Sequence, residues 1–239
     1  MTDPKELVER GYDAIAERFG SWREQVEGSP ADAWLEDLLP RLDDGARALD
    51  LGCGNGEPAG RLLAPRHSYV GIDISSEQLA RAETRIPGEE LIHADFTKID
   101  FEPGAFQAVV SIHAFNHVPR AELPPLLRRI ERWLDRGGYL LASFGCSGAE
   151  GVEADWLGVP MFFASLTESE TLDLVRHAGL SVERSAVIPI VEPEEGEGSF
   201  LWILARKPPS RGRGLPIRSR VGAAGSRARA APPRPRSRG

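Results

Sequence analysis

Residues 48–56 read Ala48-Leu49-Asp50-Leu51-Gly52-Cys53-Gly54-Asn55-Gly56, a short apolar strand that runs into alternating glycines, with a helical stretch at 57–64 behind it. Glycine allows positive φ and, without a Cβ, lets a ligand approach the backbone. A strand, glycine loop and helix in this order predict a site beyond the carboxyl end of a strand in a parallel sheet. The dinucleotide fingerprint needs a further glycine three residues after Gly54. Position 57 is Glu instead, and an acid at a helix N-terminus repels a pyrophosphate, which disfavours a nicotinamide or flavin site.

Outward from this loop, strand and helix patterns alternate. Apolar runs at 48–51, 69–72, 90–93, 106–111 and 139–144 predict buried strands, and helical spacing at 57–64, 76–86 and 121–135 predicts the crossovers between them. Upstream, Leu7, Val8, Tyr12, Ile15, Ala16 and Phe19 share one face of a helix over 4–19, and Ser29-Pro30-Ala31-Asp32 reads as the start of another that stops before Pro40. Downstream, Thr167-Glu168-Ser169-Glu170 predicts a capping box and Gly179 the helix end. Alternating strands at 181–191 and 199–205 then predict a hairpin around the acidic turn 192–198. The fold class is α/β, with a mostly parallel sheet covered on both faces.

Carboxylates follow successive strands. Asp73 ends the second, 17 residues after Gly56, the spacing at which an acid accepts hydrogen bonds from ribose hydroxyls; its alternative use is to cap the next helix, for which Ser75 and Ser76 are also available. Asp95 follows the third strand, beside Phe96.

Composition narrows the function. The 239 residues carry 29 basic and 36 acidic side chains, and ten of the basic ones but no acid fall in 207–239. The first 206 residues therefore hold 19 basic against 36 acidic residues, a balance that repels polyanions and makes nucleic acid an unlikely main substrate. The sequence predicts a domain over 1–207 and a disordered, basic, Arg/Pro/Gly-rich tail over 208–239, either an arm for nucleic acid or an acidic partner or a dispensable extension. No apolar run is long enough to span a membrane, and the N-terminus lacks a signal-peptide pattern. Cys53 and Cys146 fit reduced thiols in a cytoplasmic protein, and no metal site is expected.

Taken together, LDLGCGNG (49–56), VGID (70–73), HADF (93–96), the block 108–144 and the terminal hairpin resemble the class I S-adenosylmethionine (SAM)-dependent methyltransferases, in the small-molecule branch related to the ubiquinone-biosynthesis enzymes. The resemblance covers residues 1–207. It implies a Rossmann-like seven-stranded sheet of order 3-2-1-4-5-7-6 with strand 7 antiparallel, SAM as cofactor, and methyl transfer to a small-molecule O-, N-, S- or C-nucleophile. By the same resemblance Asp50 meets the methionine ammonium, Gly52 and Gly54 pass beneath the ligand, and Asp73 clamps the ribose. Ile74 packs on adenine, Asp95 binds the adenine amine with Phe96 beside it, and Tyr12 covers the site; Ser111 is the remaining cofactor candidate. Gln107 departs from the family's usual Asp. The rival readings are a non-catalytic SAM-binding protein and a nucleic-acid methyltransferase guided by the tail.

A hydroxyl acceptor needs a base, and imidazole titrates near neutrality, so the candidate catalytic residues are His113 and His117 after the fourth strand; His117 has the alternative role of organising its turn. The apolar stretch 156–163 is expected to be a loop, either a substrate lid or packing against the core. Neither the acceptor nor the oligomeric state is legible in the sequence.

Overall fold

The structure is a computed structural model, and it describes residues 3–23, 25–26, 29–193 and 196–209. The predicted tail, 208–239, therefore lies outside the described residues except for its first two positions. Strands β1 (Arg47–Leu51), β2 (Ser68–Asp73), β3 (Glu90–His93), β4 (Phe106–Ser111), β5 (Leu134–Gly145), β8 (Ser181–Glu192) and β9 (Gly196–Arg206) form one seven-stranded sheet. Its order is β3-β2-β1-β4-β5-β9-β8. The pairings among β1–β5 are parallel, and β9 runs antiparallel to both β5 and β8. This is the expected order once β6 (Glu150–Trp156) and β7 (Val159–Ala164), a separate pair, are set aside.

Side chains alternate across the strands and divide the core. Leu49, Leu51, Val70, Ile72 and Val109 pack with residues of helices α5 (Leu123–Trp133) and α6 (Glu168–His177). Ala48, Tyr69, Ala108 and Val110 pack with α2 (Ala31–Leu38), α3 (Ala59–Leu63) and α4 (Ser76–Arg85). Helix α6 opens on the predicted capping box at Thr167 and Glu170, and Ser75 caps α4 by accepting from Gln78 N–H. Helix α2 begins one residue later than expected: Pro30 is its cap position and no side chain caps it.

The stretch 156–163 is not a loop. Strands β6 (Glu150–Trp156) and β7 (Val159–Ala164) form a separate antiparallel hairpin. Its two-residue turn has positive φ at both Leu157 (52°) and Gly158 (85°), the geometry that suits the twist of paired strands. Leu157 tolerates this conformation because its side chain is buried, and Arg18 Nη1 donates to its carbonyl at 3.0 Å. Helix α1 (Pro4–Arg23) lies on this hairpin, so close that a Cβ at Gly11 would stand 2.6 Å from Met161 Cε. Val8, Ile15 and Trp22 of α1 and Trp156, Met161 and Phe162 of the hairpin form a third cluster, distinct from the two that flank the sheet.

Candidate functional site

At the carboxyl ends of β1, β2 and β4, and beyond the end of β3, two cavities meet under α1. The first holds about 900 Å³ of empty space including its mouth. It brings together Tyr12, Gly52, Gly54, Asp73, Ile74, Asp95, Phe96, His113 and His117 from the sequence candidates. Gly52 has φ +78°, and a Cβ there would fall 2.3 Å from Ala114 Cβ, so the loop closes only on glycine.

Asp73 organises that loop. One carboxyl oxygen accepts from Gly54 N–H at 2.8 Å and the other from Ser75 N–H at 2.9 Å. Burial raises its carboxyl above the usual range, and these backbone donors oppose the shift. Asp95 accepts from Thr97 N–H (2.9 Å) and Thr97 Oγ1 (2.7 Å), and pairs with Lys5 Nζ at 3.0 Å. Burial works against its charge, yet the Thr97 hydrogen bonds and Lys5 together hold its carboxyl below the ordinary value.

Asp50 and Ser111 do not reach the cavity wall. Asp50 points to the α2 face of the sheet, where its Oδ2 accepts from Tyr69 Oη at 2.7 Å, and burial pushes its carboxyl up to about 7 against that hydrogen bond. Strand alternation turns its side chain to the face that carries Tyr69. Ser111 is fully buried and donates to Leu51 O at 2.9 Å.

The two histidines differ. His117 Nδ1 lies 2.8 Å from Phe162 O, which can only accept, so Nδ1 carries the proton and Nε2 carries the lone pair. That lone pair receives Tyr12 Oη–H at 2.8 Å. Burial lowers the imidazole to about 4, the Phe162 carbonyl opposing. With both nitrogens committed, His117 ties α1 to the hairpin and has no lone pair left for a substrate, a correction to its candidacy as base. His113 sits at φ 56°, a conformation sparsely used outside glycine, held by its own N–H donating to Ser143 Oγ at 2.8 Å. Its ring meets Phe200 edge-on at 4.3 Å, its Nε2 is buried without a hydrogen-bond partner, and burial pushes its imidazole well below the ordinary range.

Two cavity residues gave no signal in the sequence. Lys5 bonds Thr97 and Glu122 as well as pairing with Asp95; burial lowers its ammonium, but those acids outweigh it and raise the net value. Gln78 on α4 lines the cavity with both amide atoms buried and unpartnered. A lysine on a charged helix and a glutamine inside a cap look like solvated surface until the fold buries them. Gln107, where the resemblance leads one to expect Asp, bonds Asp43 at the far end of β4.

The second cavity, about 1500 Å³ including its opening to solvent, shares Tyr12, Phe19, Arg23, His113 and His117 with the first. Its further walls come from Trp22, Trp156, Phe163 and Phe200, and Arg23 is the one Lys or Arg among the described lining residues. Among the described residues no cluster of metal-ligating side chains occurs, and no helix is long and apolar enough to cross a membrane.

Residues 49–142 match the family described as a methyltransferase domain. The chain is 32% identical over 162 residues to 27-O-demethylrifamycin SV methyltransferase of Amycolatopsis mediterranei, covering 59% of each. It is 30% identical over 138 residues to a tRNA (carboxymethyluridine(34)-5-O)-methyltransferase of Arabidopsis thaliana, covering 57% of this chain and 32% of that one. The chain thus spans less than two thirds of the length of these relatives. Its fold matches 1,6-didemethyltoxoflavin-N1-methyltransferase of Burkholderia thailandensis, solved with 1,6-didemethyltoxoflavin and S-adenosylhomocysteine, at TM-score 0.61 and 20% identity over 87% of this chain and 92% of that one. Residues 49–142 thus match a methyltransferase domain, and the sheet order and glycine loop give the chain the Rossmann-like fold of the class I SAM-dependent methyltransferases.

Proposed function

We propose that this protein transfers a methyl group from SAM to a small-molecule acceptor, with the cofactor in the first cavity and the acceptor in the second. The observation that carries the reading is the junction: Tyr12, His113 and His117 line both cavities. The residues present suit the cofactor. Asp73 and Asp95 present oxygens to hydroxyl and amine donors, Gln78 holds unpaired amide atoms, and Ile74 and Phe96 offer apolar faces to a base. When bound, SAM supplies a methyl carbon already activated by its sulfonium.

The chain's own part is positioning and exclusion of water. The glycine loop admits a ligand against backbone, and Tyr12 closes the site from above. His113, neutral and with Nε2 free, takes the proton of a hydroxyl acceptor. Asp50 acts at one remove, by bracing the loop through Tyr69. The names of the rifamycin and toxoflavin enzymes support a small-molecule acceptor. The tRNA relative favours a second reading, in which the basic segment 208–239 guides RNA to the site.

Calorimetry with S-adenosylhomocysteine is the first test, and binding should raise the melting temperature as any ligand of the native state does. Binding of NAD without S-adenosylhomocysteine would overturn the assignment. Removing 208–239 should leave that affinity unchanged; loss of salt-sensitive RNA binding on the same truncation would instead support the second reading.

A further inference from the structure

The hydrogen bonds around His117 fix an atom that they do not themselves satisfy. Phe162 O accepts from His117 Nδ1–H, so Nε2 must accept. Its lone pair already receives Tyr12 Oη–H, and Asn116 Nδ2 lies 3.3 Å from the same Nε2; an amide oxygen in that place would set acceptor against acceptor, so the nitrogen side of the Asn116 amide faces His117 and its Oδ1 faces away. Asn116 is 7% exposed, lines the second cavity, and its Oδ1 has no partner. A carbonyl oxygen only accepts, and leaving one buried and unpaired is costly. The complement is a hydrogen-bond donor brought in by the occupant of the cavity.

A second orphan borders the same space. His113 Nε2 is also buried and unpartnered, three residues from Asn116 on the segment after β4. The walls around both are flat: Phe19, Trp22, Trp156, Phe163 and Phe200. Acids Glu150, Glu153 and Glu192 also line this cavity. Glu150 pairs with Arg120 and Glu192 faces Arg23, and each of the three has an interaction within the protein.

We infer that the acceptor is an aromatic molecule carrying two polar hydrogens, a hydroxyl facing His113 Nε2 and a second hydroxyl or amine donating to Asn116 Oδ1. This rests on the proposed methyl transfer and names its substrate class. Asn116 is then a specificity residue: it reads whether the second donor is there. A site built around a buried acceptor discriminates against an analogue that lacks the matching donor.

The test uses the full-length protein saturated with S-adenosylhomocysteine, titrated with naphthalene-2,3-diol and with 2-naphthol. The diol should bind about tenfold more tightly than the mono-ol, the scale of one net hydrogen bond. Asn116→Leu should erase the preference, whereas Asn116→Asp, which keeps an oxygen there, should retain it. S-adenosylhomocysteine affinity, measured first for each variant, reports whether the fold and the cofactor site survive. Failure of that first titration in the wild type would overturn the methyltransferase reading. With it intact, equal binding of the two naphthols, binding of neither, or a preference that survives Asn116→Leu would overturn the role of Asn116.

Discussion

The two cavities under α1 are built by different rules. The first is lined largely by backbone and acids at the ends of strands, and each such position follows a strand that the sequence announces. The second sets side chains from α1, from β6–β7 and from the tip of β8–β9 against the segments that follow β4 and β5, and these meet only in the folded chain. Parallel strand ends recur wherever this sheet forms, so a site made from them is general. A site made from a hairpin resting on a helix is particular to the chain. On the function proposed above, the common reagent belongs in the first cavity and selectivity in the second.

The sharpest way to break this comparison is His113→Ala. With a hydroxyl acceptor the transfer rate should fall about 10²–10⁴-fold, the usual worth of a general base. S-adenosylhomocysteine affinity should change little, because the acids of the first cavity are untouched. A parallel loss of cofactor affinity in the calorimeter would join the two cavities into one.

His117 offers a test through pH. Its folded value is about 4 against 6.5 for the free side chain, so between these values the unfolded chain is protonated and the folded one is not. Its contribution is complete above pH 6.5 and is lost as pH falls toward 4. His117→Gln cannot titrate, so the stability gap between wild type and variant should narrow by on the order of 3 kcal/mol from pH 7 to pH 4. Asp50, pushed the opposite way, is present in both proteins and cancels in the difference. Denaturant melts at several pH values would show it; a gap constant with pH would mean that the His117 imidazole is not held neutral.

Asp73→Asn should weaken S-adenosylhomocysteine binding by about 1–3 kcal/mol, since an amide cannot accept from Gly54 and Ser75 with both of its atoms. Unchanged affinity would remove Asp73 from the ligand. The smallest effect should come from Lys5→Met, about 1 kcal/mol, seen as faster hydrogen exchange over 4–23 with the sheet unaffected. Faster exchange in β1 or β4 would mean that α1 supports the core as well.

Legibility in the sequence followed the same division. Val70-Gly71-Ile72-Asp73 and the glycine loop could be read because period, spacing and residue type all agree there. The hairpin β6–β7 was missed: Glu150–Asp155 is exposed and has no alternating apolar face, and its turn is Leu157-Gly158, with Leu157 where such turns take Asn or Asp. Burial against α1 stabilises that turn, and burial across 139 residues of chain is not a local signal. Asp50 shows the opposite case, since its motif is local but its direction is set by strand alternation and by Tyr69, 19 residues away. Asn116 carries no pattern at all; only the tautomer of its neighbour gives its oxygen a direction.

Helix α1 also bears on the order in which the molecule comes together. It precedes every strand in the chain, yet Lys5 meets Glu122, 117 residues on, and Trp22 Nε1 donates to Pro193 O at 3.0 Å across 171 residues. Contacts of such sequence separation form late, because the closure of long loops precedes any reward from them. Synthesis therefore completes the roof over both cavities only when β8 has emerged, and a nascent chain that already holds β1–β5 still lacks the wall that α1 provides.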